Sequence, residues 1–323
     1  MILVIGEALI DLIGRSSDEG RYQAVVGGAN ANVALALAVR GEKQAFLGRI
    51  SSDGFGQQIR NHLASHGVNL EQSVVASEQT TLAVATIDNQ GVASYSFYTK
   101  DTADWGWQPK ELPSLDKLAE LGVTTIQYGC LGMAIGPGNK VIERWLREVS
   151  NQTDITLSHD LNIRPALGFS RDAELERVLG INTFSDIIKA SDADIEWLYG
   201  LREGEDLDEI ANQWSQGKLV LITRGPAGVS IYRDGQRIDV PGQKVALVDT
   251  VGAGDTFMAT FLAELGRLGA LGGASESKLA DLSEDQLAQA ARISTIAAGL
   301  VCERTGCQPP TAEEVTKRVE SLG

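Results

Sequence analysis

The densest run of chemistry-bearing residues is Asp249-Thr250-Val251-Gly252-Ala253-Gly254-Asp255-Thr256-Phe257. It joins a Gly-Ala-Gly turn to an acidic side chain and then to an apolar run that reads as a helix. Backbone N–H groups at a helix start lack partners within the helix and gather anions. A carboxylate there repels a bound phosphate, so Asp255 is badly placed in a pure phosphate cradle. It is well placed to take a proton from a hydroxyl while the N–H groups hold the phosphoryl group which that hydroxyl attacks. The segment points to phosphoryl transfer to an alcohol.

Two further segments carry chemistry. In Gly27-Gly28-Ala29-Asn30-Ala31-Asn32-Val33-Ala34 the glycines permit close backbone approach, and Asn32 projects from the first turn of a helix, where it suits a polyol ligand. A turn before a small-residue helix packed on a sheet accounts for the same residues. Asp160-Leu161-Asn162-Ile163-Arg164-Pro165 ends an apolar run, at the place where open parallel sheets collect ligands. The planar fork of Arg164 suits a transferring phosphate or a substrate carboxylate; the plainer alternative is an ion pair with Asp160.

These residues need a scaffold, and the chain's alternation describes one. Short apolar runs at Ile2–Gly6, Gln44–Arg49, Thr124–Tyr128, Ile155–Asp160, Ile187–Lys189 and Leu219–Thr223 read as strands. Amphipathic stretches around Ala29–Val39, Phe55–His66, Asn139–Val149 and Glu174–Leu179 lie between them, with further helices after Gly254 and over Glu284–Gly299. Such alternation predicts a mainly parallel sheet with helices on both faces. Leu9–Ile13 with Tyr22–Val26, and Thr81–Asp88 with Ala93–Thr99, break the pattern and read as antiparallel strands, the second pair turning at Asp88-Asn89-Gln90-Gly91. They predict a small β-sheet lid inserted near 9–26 and 81–99 into a single domain spanning 1–323.

At 323 residues, with 43% hydrophobic and 22% charged residues, the chain has the make-up of a globular protein. Its formal net charge of −15 argues against a nucleic-acid partner, since no basic excess is present to neutralise phosphates. Cys130, Cys302 and Cys307 show no zinc-like spacing and read as free thiols of a reducing, cytoplasmic compartment. No apolar run approaches a membrane span, and no basic leader precedes Ile2.

Gly27–Ala34 followed by Gly48-Arg49-Ile50-Ser51-Ser52-Asp53-Gly54-Phe55-Gly56 resembles the N-terminal signature of the ribokinase-like sugar kinases of phosphofructokinase-B type, and Asp249–Phe257 resembles their C-terminal signature. The resemblance covers essentially the whole chain. It implies an α/β, ribokinase-like, Rossmann-type three-layer sandwich and transfer of the γ-phosphoryl of ATP to a sugar hydroxymethyl group. Asp255 matches the family's catalytic base, and the N–H groups of Ala253, Gly254 and Asp255, on the Gly252 turn, match its anion hole. Asp11, Gly27, Gly28 and Asn32 match sugar contacts, and Asp160, Asn162 and Arg164 match the Asp-x-Asn-x-Arg-Pro segment of fructokinases and 2-keto-3-deoxygluconate kinases.

Thr223-Arg224-Gly225-Pro226-Ala227-Gly228 resembles the nucleotide-phosphate loop, of which Thr223, Gly225 and Gly228 are the expected contacts, and the region of Ala298 and Gly306 resembles the adenine enclosure. The family's Asn-x-x-Glu motif, which organises Mg2+ through water, falls here on Ser191 and Asp194, with Asp192 adjacent. This departure puts the metal geometry in question, and acidic residues favoured by a helix dipole explain Asp192 and Asp194 equally well. Asp249, Val251 and Gly306 lie where relatives bind a monovalent cation, K+, through backbone oxygens. Ser94–Asp104 looks most like fructokinases: Phe97 or Tyr98 would cover an apolar sugar face, and Lys100 would reach acidic or phosphate groups. Fructose, giving fructose 6-phosphate, is the first expectation. 2-Keto-3-deoxygluconate and aminoimidazole riboside are the alternatives, and a catalytically silent sugar- or nucleotide-binding regulator is the reading from a different class. The family also suggests a homodimer joined through the lid.

Overall fold

The computed structural model describes residues 1–15, 20–87, 93–202 and 204–322. The first predicted strand is β1 (Ile2–Ile5), flanked by β4 (Gln44–Leu47) and β9 (Thr125–Gly129). Two strands, β2 (Leu9–Arg15) and β3 (Gln23–Gly27), and helix α1 (Ala29–Val39) come between β1 and β4 in the chain. A small parallel pair follows, β5 (Arg49–Ser51) with β6 (Val74–Ala76), separated by α2 (Gly54–Ser65). The predicted single strand Gln44–Arg49 is therefore broken at Gly48. Next come β7 (Leu82–Ile87), β8 (Ala93–Tyr98) and α3 (Leu115–Leu121), before β9.

The second half alternates more regularly. Helices α4 (Cys130–Ala134) and α5 (Gly138–Gln152) precede β10 (Thr156–Asp160), and α6 (Arg171–Asn182) precedes β11 (Ile187–Ser191). Helices α7 (Asp192–Tyr199) and α8 (Asp208–Trp214) lead to β12 (Leu219–Thr223), β13 (Gly228–Arg233) and β14 (Gln236–Pro241). The chain closes with α9 (Ala253–Arg267), α10 (Ser275–Ala280), α11 (Glu284–Cys302) and α12 (Ala312–Leu322).

The large sheet has the order β14-β13-β12-β11-β10-β9-β1-β4, parallel from β4 to β12 and antiparallel at β13 and β14. Its parallel strands are buried on both faces, which is why they read as continuous apolar runs, whereas the edge strand β14 is largely exposed. In β1, Ile2 and Val4 join a core with α9 residues Phe257, Met258 and Phe261, whereas Leu3 and Ile5 join the opposite core with Trp145 and Leu146 of α5. Ile142, Trp145, Leu146 and Val149 are the buried stripe of α5, at the spacing of one helical face. Helices α1, α9 and α11 thus cover one face and α3 and α5 the other, giving the expected three layers.

The β13–β14 hairpin is an element that the sequence reading passed over. Asp234 (φ 48°) and Gly235 (φ 82°) turn it, both in the left-handed region that a tight two-residue hairpin demands. The smaller sheet has the order β3-β2-β7-β8. Its two predicted antiparallel pairs exist, and a parallel β2–β7 pairing fuses them. The predicted turn Asp88–Gly91 lies outside the described residues. Among the described residues, no helix is long and apolar enough to cross a membrane.

Candidate active site

The C-terminal ends of the parallel strands, the start of α9 and one face of the smaller sheet enclose a cavity of about 470 Å³. Helix α9 begins as the sequence foretold. Gly252 stands at φ 80°, and a Cβ there would lie 2.4 Å from Cys307 Sγ, so both backbone and space call for glycine. The Ala253 N–H is donated back to Thr250 O at 3.2 Å. The N–H groups of Gly254 and Asp255 then belong to the first helical turn, where no carbonyl of the helix itself serves them. Gly252, Ala253, Gly254 and Val251 all line the cavity.

Asp255 is 7% exposed, and Asn32 Nδ2 donates to its Oδ2 at 2.8 Å. Burial pushes its carboxyl up to about 7, and Asp160 adds to that shift; the Asn32 hydrogen bond, Lys189 and Arg164 oppose it. A carboxyl poised there exchanges protons readily near neutral pH, as a general base must.

Across the cavity, Asp11 on β2 is raised to about 6 by burial, against the pull of Arg164. Gly27 on β3, opposite Leu9, lies diagonal to Asp11: a Cβ at Gly27 would come 2.1 Å from Asp11 Oδ2, so glycine leaves the space that the carboxylate occupies. Gly28 and Asn32 line the cavity with Asp11. Of the two aromatic candidates on β8, Phe97 lines the cavity and Tyr98 does not; Tyr98 is 61% exposed on the outer face, because successive strand side chains alternate. Lys100 is exposed and takes no part in the lining.

Asn162 and Arg164 also line the cavity. Arg164 does not pair with Asp160. Asp160 Oδ2 instead accepts from Lys189 Nζ at 2.8 Å, both side chains being buried. Arg164 NH1 donates to the adjacent Ile163 carbonyl at 3.2 Å. Burial works against the charge of Arg164, but surrounding groups including Cys130, Asp255 and Asp194 hold its guanidinium above the usual arginine range. Lys189 is a cavity residue missed in the sequence: its Nζ lies 3.4 Å from where a Gly254 Cβ would stand, beside the α9 turn. A lysine in the otherwise apolar Ile187-Ile188-Lys189-Ala190, at the ligand-collecting end of a parallel strand, was the signal.

The remaining candidates lie away from the cavity lining. Ser191 caps α7 with Asp194 in a reciprocal box, Asp194 N to Ser191 Oγ at 3.1 Å and Ser191 N to Asp194 Oδ2 at 2.8 Å. Asp194 Oδ1 accepts from the Ile163 N–H at 2.8 Å, so this carboxylate also fixes the Asn162–Arg164 loop. Thr223 ends β12, Gly225 follows it, and Gly228 opens β13. Ala298, on α11, packs against the same core as α9. Asp249 spans two loops, with Oδ1 accepting from Val251 N at 3.1 Å and Oδ2 from Gly306 N at 2.9 Å.

Much of the N-terminal signature is structural. Asp53 caps α2 by accepting from Gly56 N at 2.7 Å and holds Thr80 through its N–H at 2.9 Å and its hydroxyl at 2.6 Å. Arg49 donates to Glu78 Oε1 at 3.1 Å and to Ala103 O at 2.9 Å. Both side chains secure the base of the smaller sheet rather than the cavity.

A model of the pfkB family carbohydrate kinases matches residues 1–314. The chain is 34% identical over 270 residues to a fructokinase of Rhizobium leguminosarum bv. trifolii, covering 82% of this chain and 79% of that one. The crystal structure of a fructokinase from Xylella fastidiosa with bound ATP shares the fold at TM-score 0.87 and 24% identity, covering 99% of this chain and 98% of that one. A double mutant of the fructokinase from Vibrio cholerae O395, solved with fructose, ADP and potassium ion, superposes at TM-score 0.81 with 21% identity, covering 98% and 97%.

Proposed function

We propose that this chain, which belongs to the pfkB family of carbohydrate kinases and is therefore a sugar phosphotransferase, moves the γ-phosphoryl group of ATP to fructose and forms fructose 6-phosphate. One observation carries the reading. Asp255 sits at the start of α9, oriented by Asn32 and facing the same cavity as Asp11. A sugar bound against Asp11 and Asn32 presents a hydroxymethyl group to Asp255. As the hydroxyl oxygen bonds to the γ-phosphorus, its proton passes to the Asp255 carboxylate and the bond to the ADP leaving oxygen breaks. The first-turn N–H groups of α9, with Lys189 and Arg164, stabilise the charge on the transferring group.

ATP enters from the side of Thr223, Gly225, Gly228 and Ala298. Mg2+ supplies charge neutralisation on its phosphates. The donor set fits a metal held through water. Among the described residues, no three His, Cys, Asp or Glu side chains converge on a common point. Asp160 Oδ1, by contrast, is buried without a hydrogen-bond partner among those residues, and Asp194 is nearby in charge. K+ is assigned to the loops that Asp249 joins, at Val251 and Gly306, and the Vibrio relative's bound potassium supports that reading. The smaller sheet acts as a lid on a single domain and is the surface through which two copies would pair. Three free cysteines suit a cytoplasmic enzyme.

A keto-acid acceptor is the second reading, favoured by Arg164, whose guanidinium lines the cavity without pairing with Asp160. Transfer assays on fructose, 2-keto-3-deoxygluconate and aminoimidazole riboside decide between the acceptors. Turnover on fructose with loss of about a hundredfold or more in Asp255→Asn supports the proposal. Near-normal turnover by Asp255→Asn removes the base, and binding without turnover by the wild type indicates a silent regulator.

A further inference from the structure

Glu7 follows β1 and is 0% exposed, yet its carboxylate is met by N–H donors rather than by a cation. Oε1 accepts from the backbone N–H groups of Ala29 at 2.9 Å and Asn30 at 3.4 Å. Oε2 accepts from Asn30 Nδ2 at 3.0 Å and from the Gly132 N–H at 3.0 Å. These donors belong to two separate walls of the cavity. Ala29 and Asn30 open α1, where Gly28 offers no side-chain cap and Asn32 lies within the first turn. Gly132 belongs to α4, whose Cys130 and Leu131 line the cavity.

The neighbouring residue reaches a third wall. The Ala8 N–H is donated to Asp104 Oδ1 at 2.9 Å, and Asp104 Oδ2 accepts from Thr81 Oγ1 at 2.5 Å, just before β7. The Glu7-Ala8 dipeptide therefore joins α1, α4 and the base of the smaller sheet. The α9 turn and Lys189 make no hydrogen bond with it among the described residues.

We infer that Glu7 is a positioning residue for the sugar, setting the α1 and α4 walls of the pocket while leaving the phosphoryl-binding turn to other contacts. The inference rests on the reading of this cavity as a sugar site. The chemistry demands a carboxylate: it presents two acceptor oxygens to four N–H groups, whereas a glutamine in either orientation sets its NH2 against two donors.

The test uses the full-length chain and whichever sugar of the panel the wild type phosphorylates fastest. At a temperature where thermal melts show Glu7→Gln fully folded, its sugar KM is expected to rise at least about tenfold, with the ATP KM within about threefold of wild type. A sugar KM unchanged in folded Glu7→Gln, or sugar and ATP KM values that rise together, overturns the inference. Should Glu7→Gln not fold, Glu7→Asp retains the charge one methylene short; it is expected to raise the sugar KM alone, and an unchanged value refutes the role. A wild type that phosphorylates no sugar refutes the proposed function instead.

Discussion

Replacing Asn32 with leucine tests the coupling between the proposed sugar wall and the proposed base, Asp255. Asn32 Nδ2 donates at 2.8 Å to Asp255 Oδ2 inside the protein, and this contact lowers a carboxyl that burial has pushed up to about 7. A hydrogen bond to a charged group contributes about 1.5–3 kcal/mol, and about 1.4 kcal/mol corresponds to one pH unit. Asn32→Leu is thus expected to move the acid limb of kcat from about 7 to about 8–9. The sign follows from the chemistry: the base works ionised, so turnover falls as pH drops through its pKa, and raising that pKa removes activity at neutral pH first. At pH 7 the ionised fraction falls from about one half to about 1–10%, a loss of about 5- to 50-fold, while the alkaline plateau is largely kept. The assay is direct transfer of labelled γ-phosphoryl to saturating sugar between about pH 5.5 and 9.5, which avoids coupling enzymes with their own pH profiles. A midpoint that stays near 7, with an equal loss at every pH, would falsify the coupling. Asp11, raised to about 6, is distinguished because its titration should appear in the sugar KM rather than in kcat.

Two other substitutions probe the phosphoryl side. Lys189→Met removes the cation beside the α9 turn and is expected to lower kcat about a hundredfold. It also leaves buried Asp160 unpaired, a destabilisation of about 3–5 kcal/mol in urea unfolding that shrinks at low pH as Asp160 protonates; wild-type stability would contradict the ion pair. Gly252→Ala forces a side chain into φ 80° and against Cys307 Sγ, so about 1–2 kcal/mol of stability and at least about tenfold in kcat should be lost. Adding Cys307→Ala should restore little, because Cys307 Cβ, 2.9 Å from the added atom, remains; full recovery would place the strain elsewhere.

The parts of the site encoded by adjacent residues were legible in the sequence. A helix start announces itself through glycines and a following apolar run, so the α9 turn and Asp255 were readable, as was the Gly27–Asn32 segment. The parallel sheet was readable because strands buried on both faces leave unbroken apolar runs. Properties that depend on a distant neighbour were not. Whether Phe97 or Tyr98 faces the cavity depends on the phase of β8 against β7, which local composition leaves free. Asp160 had Arg164 four residues away, but β10 and β11 align it with Lys189 across the sheet. Glu7 looked like one more charged residue after a strand; only the convergence of α1 and α4 on it reveals a buried acceptor. Ser191 and Asp194 were legible as a helix start, while the bond from Asp194 to the Ile163 N–H joins segments distant in sequence.

The alternation of β8 also separates two lines of change in the gene. Phe97 and Tyr98 are adjacent codons, yet one borders the cavity and the other meets the outside. Point substitutions at outward positions can drift with whatever covers that face and leave acceptor choice alone. A codon inserted within β8 ahead of Phe97, where it slips the register of the strand, is a different event. It shifts the strand by one residue, turns Phe97 outward and Tyr98 inward, and changes surface and pocket in one step. Acceptor range in this scaffold should therefore be gradual under substitution and abrupt under insertion.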